Sequence, residues 1–150
     1  MASERPTSGE HGTRHRARHA ALQMLYQWEV GRAGVHEAIA TYWPAREPDE
    51  RLDEANEEFA NRLVRGTVSR VEAIDGMLAE RARNWRVERM AVLDRLVLRL
   101  AVYELLDEPD TPGRVIINEA IELARAYSGE EAVPFVNGIL DAIRKDLARD

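Results

Sequence analysis

From Met90 to Leu106 the chain is apolar on nearly every helical face, broken only by Asp94, Arg95, Arg99 and Glu104. A helix that is apolar all round is buried all round. This segment is therefore expected to be the central helix of the fold, with its charges paired or at an exposed rim. The rest of the chain must then provide a shell of amphipathic helices.

The periodicity on either side fits that demand. Thr13 can cap a first helix, and Ala17, Ala21, Met24, Leu25 and Trp28 fall on one face before Gly31 and Gly34 end it. A short helix is expected from Val35 to Trp43, closed by Pro44, with Ala45 to Leu52 as a loop. Ala60, Leu63, Val64, Thr67, Val68, Val71, Ile74 and Leu78 then keep helical spacing, as one long helix or two with a break near Ser69 or Gly76. Pro109 and Pro112 stop the central helix. Ile116, Ala120, Leu123, Ala124 and Tyr127 mark the next helix, and Gly129 suits its left-handed cap. Pro134 fits the first turn of the last, whose stripe runs from Phe135 to Leu147. No stretch alternates with period two, so the class is all-α, with about six or seven helices in one domain. Met1 to Gly12, punctuated by Pro6, Gly9 and Gly12, reads as a mobile tail.

Composition narrows the function. The 150 residues include no cysteine, which excludes disulfides and thiolate metal sites and fits a reducing cytoplasm. No run reaches the roughly 18–20 apolar residues that cross a bilayer, and Met1 to Arg18 lacks the apolar centre of a secretory signal. The net charge is −6, but residues 1–19 carry four arginines against two glutamates, leaving −8 on the remainder. A basic head on an acidic body points to anion binding confined to one end.

Catalytic constellations are missing. There is no glycine-rich phosphate loop and no nucleophile elbow, and no cofactor is expected. His15 and His19 are four apart and could share a metal, but no third ligand lies near them in the sequence. The basic run from Thr13 to His19 is the main functional signal. Arg14 and Arg18 share a face beside His15 and His19, and guanidinium groups bind phosphate through paired hydrogen bonds and stack on bases. The competing explanation is that the run only solubilises a helix end. Trp28 falls on the apolar stripe and is read as core, while Tyr26 lies off it and can offer a ring to a base. Asn118 and Asn137 are read as capping or bridging helix ends.

Three stretches together resemble the NusB transcription antitermination family. They are Arg14-His-Arg-Ala-Arg-His-Ala-Ala-Leu-Gln-Met-Leu-Tyr-Gln-Trp28, then Leu96-Val-Leu-Arg-Leu-Ala-Val-Tyr-Glu-Leu105, then Val115-Ile-Ile-Asn-Glu-Ala-Ile-Glu-Leu-Ala124 with Phe135-Val-Asn-Gly-Ile-Leu-Asp141. The resemblance covers nearly everything from Thr13 to Ile143. It implies about seven helices in two small bundles packed crosswise, over residues 13–83 and 84–150. It also implies a non-enzymatic factor that binds single-stranded boxA RNA of nascent ribosomal RNA transcripts with the ribosomal protein NusE, within an RNA polymerase antitermination complex. Under the resemblance Arg14, His15, Arg16 and Arg18 contact RNA, Tyr26, Glu131 and Phe135 belong to the same surface, and Asp94 faces the protein partner. His15 stands where family members often have arginine, which makes the motif's charge more dependent on pH. A similar domain opens certain ribosomal RNA cytosine methyltransferases. This chain has neither the following Rossmann-like domain nor a catalytic cysteine, and a stand-alone protein is expected. A reading of a different class is a homodimeric interaction module whose basic helix is buried against a second copy.

Overall fold

The computed structural model describes residues 6–82 and 86–150. Among the described residues there are seven α-helices and no strand. They are α1 (Pro6–Glu29), α2 (Val35–Tyr42), α3 (Glu54–Ser69), α4 (Val71–Arg81), α5 (Val92–Asp107), α6 (Gly113–Tyr127) and α7 (Val133–Asp146). Short 3-10 turns cover Trp43–Ala45, Pro48–Glu50, Val87–Arg89 and Glu130–Ala132. The chain divides into two compact units, residues 1–65 and 66–150. No helix among the described residues is long and apolar enough to cross a membrane.

α1 begins at Pro6, not at Thr13, so residues 6–12 of the expected tail are helical. Proline is well placed in a first turn, and each glycine costs a helix only about 1 kcal/mol, which the long helix behind it can absorb. Residues 1–5 of that tail lie outside the described residues.

In the first unit Ala17, Ala20, Ala21, Met24 and Leu25 are buried, as are Ala38 and Ile39 of α2, which packs on α1. The connection between α1 and α2 places Arg32, rather than either glycine, at positive φ (59°). Trp43 is buried and its indole N–H donates to Asn61 Oδ1 at 2.9 Å, tying the turn after α2 to α3. The start of α3 is fixed by two carboxylates. Asp53 accepts from the Asn56 backbone N–H at 2.9 Å, an N-cap that holds its carboxyl below the usual range. Glu57 accepts from Arg51 at 2.7 and 2.9 Å, and this pairing lowers its carboxyl likewise.

The periodic stretch through Leu78 is two helices, broken at Ser69-Arg70. The Ser69 hydroxyl donates to the Gly66 carbonyl at 3.0 Å, competing with the helical ladder, and Arg70 leaves helical geometry (φ −108°, ψ 14°). Gly76 lies inside α4 and breaks nothing. Gly66 has a packing reason to be glycine, because any side chain there would run into the buried Tyr103 ring.

α5 is the centre of the second unit. Every residue from Arg95 to Leu105 is buried, and α4, α6 and α7 pack against it. The charges do not retreat to the rim: Arg95, Arg99 and Glu104 are all buried. Arg99 is paired, its Nε and terminal nitrogen each donating to Asp75 of α4 at 2.8 Å. Arg95 donates to the carbonyls of Met90 at 3.2 Å and Val87 at 3.4 Å.

Asn118 and Asn137 do not cap helix ends. Both are exposed within α6 and α7, and no side-chain cap bond is found at either helix start. The end of α6 follows expectation, with the Ser128 and Gly129 amides both reaching the Ala124 carbonyl and Gly129 at φ 111°.

The α5–α6 corner is closed from a distant part of the sequence. The Arg149 guanidinium donates to the carbonyls of Leu105, Thr111 and Glu108, the last at 3.3 Å. Carbonyls at a helix C-terminus have no partner within the helix, and a cation there also meets the negative end of its dipole. Asp150 complements this by accepting from the Gly113 amide, at the N-terminus of α6, at 3.2 Å. Arg149→Ala is expected to cost about 2–3 kcal/mol, the scale of one to two charge-assisted hydrogen bonds. For a chain of this size that is a fall of roughly 4–12 °C in Tm, checked by thermal denaturation followed by circular dichroism.

Candidate nucleic-acid interface

Successive helical residues point about 100° apart, so the basic run splits between faces. Arg14 and Arg18 share one. The guanidinium carbon of Arg14 stands 3.9 Å from the centre of the Phe59 ring, and that of Arg18 stands 5.3 Å from it. Arg62, one turn beyond Phe59 on α3, adds a third at 5.2 Å. The negative face of an aromatic ring attracts guanidinium, and Phe59 thereby gathers three cations that charge repulsion alone would spread apart.

The members of this cluster differ in access. Arg14 and Arg62 are exposed, but Arg18 is 3% exposed. Arg18 thus departs from the expectation of an RNA-facing side chain. Its guanidinium is enclosed with the Phe59 ring, where it can position Arg14 but cannot itself reach a ligand. The exposed partner of Arg14 is Arg62, which the spacing along α1 does not reveal.

Arg16 is exposed on another face, and its guanidinium donates to the Asp49 carbonyl at 3.0 Å. His15 and His19 come together through their Nε2 atoms at 3.0 Å, one ring donating to the other. Among the described residues no third carboxylate or imidazole joins them to form a metal-sized cluster. Tyr26 is 39% exposed, as expected of a residue off the apolar stripe. Trp28 is half-buried and does not enter the core expected of it, because it sits in the last turn of α1, where the unit's core is running out.

The other singled-out residues belong to the second unit. Glu131 is exposed in the turn before α7, with its carboxylate folded against Gly129. Phe135 is half-buried in the first turn of α7. Asp94 is half-buried in the first turn of α5, where the positive end of the helix dipole favours a carboxylate. Its Oδ1 is buried and meets no hydrogen-bond donor among the described residues.

The class defined here is a protein whose described residues form helices and no strand, with a guanidinium cluster shared by α1 and α3 and an acidic net charge. A model of the NusB family matches residues 15–145, and the chain belongs to that family. It is 44% identical over 135 residues to a protein of Solibacter usitatus (strain Ellin6076) called transcription antitermination protein NusB, covering 90% of each chain. Its fold is similar to that of T. maritima NusB, with a TM-score of 0.78 and 38% identity over 89% of this chain and 91% of that one. It is also similar to a chain in the crystal structure of the antitermination factors NusB and NusE in complex with dsRNA. That likeness has a TM-score of 0.77 and 28% identity, over 89% of this chain and 97% of the other.

Proposed function

We propose that this chain is a transcription antitermination factor that binds boxA RNA of nascent ribosomal RNA transcripts together with the ribosomal protein NusE, bridging the RNA to the RNA polymerase complex. The observation that carries this reading is the gathering of Arg14, Arg18 and Arg62 around Phe59, with Arg14 and Arg62 exposed. Guanidinium groups held at a fixed spacing match phosphates along a strand, and single-stranded RNA also offers bases to stack. Arg14, Arg16, Arg62 and His15 are the proposed RNA contacts in the first unit, with Arg18 as a positioning residue. Tyr26, Glu131 and Phe135 are assigned to RNA on the family resemblance. The factor works by holding its partners together in the cytoplasm, with no bond made or broken.

The acidic body supports a basic protein partner through complementary charge. Asp94 is assigned to that partner on the family resemblance, as a half-buried carboxylate in the first turn of α5. Asp94→Asn is expected to weaken NusE binding about tenfold and to leave RNA binding by the chain alone unchanged, as read by calorimetry. Equal NusE affinity in the variant would remove Asp94 from the interface. The reading as a whole is tested by titrating a short single-stranded boxA-like RNA with the chain alone and with the NusE-type protein. Binding that the partner strengthens is expected. If RNA is ignored in both conditions while the partner still binds, the chain is a protein-docking module.

A further inference from the structure

α1 turns a second polar face, Arg16, His19 and Gln23, toward the connection between α2 and α3, and together they border a cleft of about 220 Å³. At ~30 Å³ per water this is room for about seven waters, or one planar ring system. Two of the lining groups are unspent. Arg46 lies over the Tyr42 ring, 4.5 Å from its centre, and its Nε is buried with no acceptor among the described residues. Asp49 gives its backbone carbonyl to Arg16, while its carboxylate takes no hydrogen bond or ion pair among the described residues. Arg46 and Asp49 thus border one cleft without pairing with each other.

The charge in this cleft differs from that around Phe59. Asp49 and Glu50 line the cleft with Arg46, so the cleft itself does not select a phosphate, while Arg16, exposed beside it, is the lining cation assigned to the strand's phosphates. The cleft suits a neutral planar group with donors and acceptors on its edges, which is a nucleobase. The Tyr42 ring fixes the plane of the Arg46 guanidinium, so a base lying edge-on in that plane meets its N–H donors. Guanine is the base that fits both free groups. Its O6 and N7 accept from a guanidinium, and its N1–H and N2–H can donate together to one carboxylate. Glu50 is partly engaged in closing its own turn, its Oε1 accepting from the Glu47 amide at 2.8 Å, which leaves Asp49 as the acceptor.

We propose that the cleft between α1 and the α2–α3 connection is a guanine-reading subsite on the RNA path, with Arg46, held flat by Tyr42, as planar donor and Asp49 as acceptor. It rests on the RNA-binding reading above, adding base discrimination to the phosphate contacts of the arginine cluster.

The test is a titration of the full chain, with and without the NusE-type protein. The probe is a short pyrimidine-rich single-stranded RNA carrying one guanine, alongside copies with adenine or inosine in its place. Wild type is expected to prefer the guanine strand about tenfold over the adenine strand, with inosine between because it lacks the N2 amine. Arg46→Ala and Asp49→Asn should each bring the strands to equal affinity while keeping the wild-type Tm. Arg46→Lys should fail to restore the preference, since it keeps the charge but not the plane. Equal affinity of wild type for all three strands overturns the guanine subsite while leaving RNA binding intact. An Arg46→Ala variant that loses affinity for every strand alike also overturns it, and makes the cleft a phosphate contact. Failure of wild type to bind any strand overturns both readings together.

Discussion

Replacing Arg14, Arg16 and Arg62 together by alanine is expected to lower RNA affinity at least about a hundredfold, at unchanged fold. Each charge-assisted contact to phosphate is worth roughly tenfold or more, and contacts sharing a strand are not fully additive. The same change should flatten the salt dependence by about 2 in the slope of log affinity against log salt, near −0.7 per phosphate on a single strand. Arg18→Ala makes a useful contrast. Because Arg18 is enclosed beside Phe59, its loss should appear first as a lower Tm, and in RNA binding only through a less ordered Arg14. A triple variant that binds RNA as wild type does, at any salt, would remove the arginines of α1 and α3 from the interface.

The second large effect is expected in the core of the other unit. Asp75→Ala should destabilise the protein by about 3 kcal/mol. Arg99 keeps only 8% of its side-chain surface, and Asp75 takes two of its hydrogen bonds. Removing the carboxylate leaves a buried cation without the group that balances it, a loss typically of 3–5 kcal/mol. The lower end applies because Asp75 retains 31% exposure, through which water can partly substitute. Replacing both residues, as Asp75→Ala with Arg99→Met, should recover most of the loss, because an apolar pair avoids the desolvation penalty. Chemical denaturation of the single and double variants gives the comparison, and an additive double variant would show that the pair is not coupled.

The pattern of apolar residues made the fold legible, and the local chemistry of charged residues did not. The run from Met90 to Leu106 announces a buried helix because no exposed helix has that composition, and α5 is buried as read. Its charges were harder. Nothing local says that Arg99 finds Asp75 in α4, since the pairing depends on which helix packs alongside. The sequence leaves one long helix or two over α3 and α4, with a break near Ser69 or Gly76, and the Ser69 hydroxyl marks where the chain breaks. The start of α1 was misplaced because Pro6, Gly9 and Gly12 look like breakers singly, though a long helix can absorb each.

The site shows the same division. The basic run on α1 is visible in one dimension, and so is the exposure of Tyr26. Phe59 and Arg62 escaped notice because they lie on α3 in a stripe that reads as ordinary amphipathic helix. Only the fold brings their ring and cation to Arg14. Arg46 and Asp49 escaped because a charged loop between helices is common and says nothing until a helix face closes over it.

The most direct test of the central claim is the salt dependence of RNA affinity for the unmodified chain with its NusE-type partner. Three guanidinium contacts to a single strand predict a slope of roughly −2 in log affinity against log salt. An affinity that does not change with salt would contradict the account, because a site built from Arg14, Arg16 and Arg62 must release counterions when it binds.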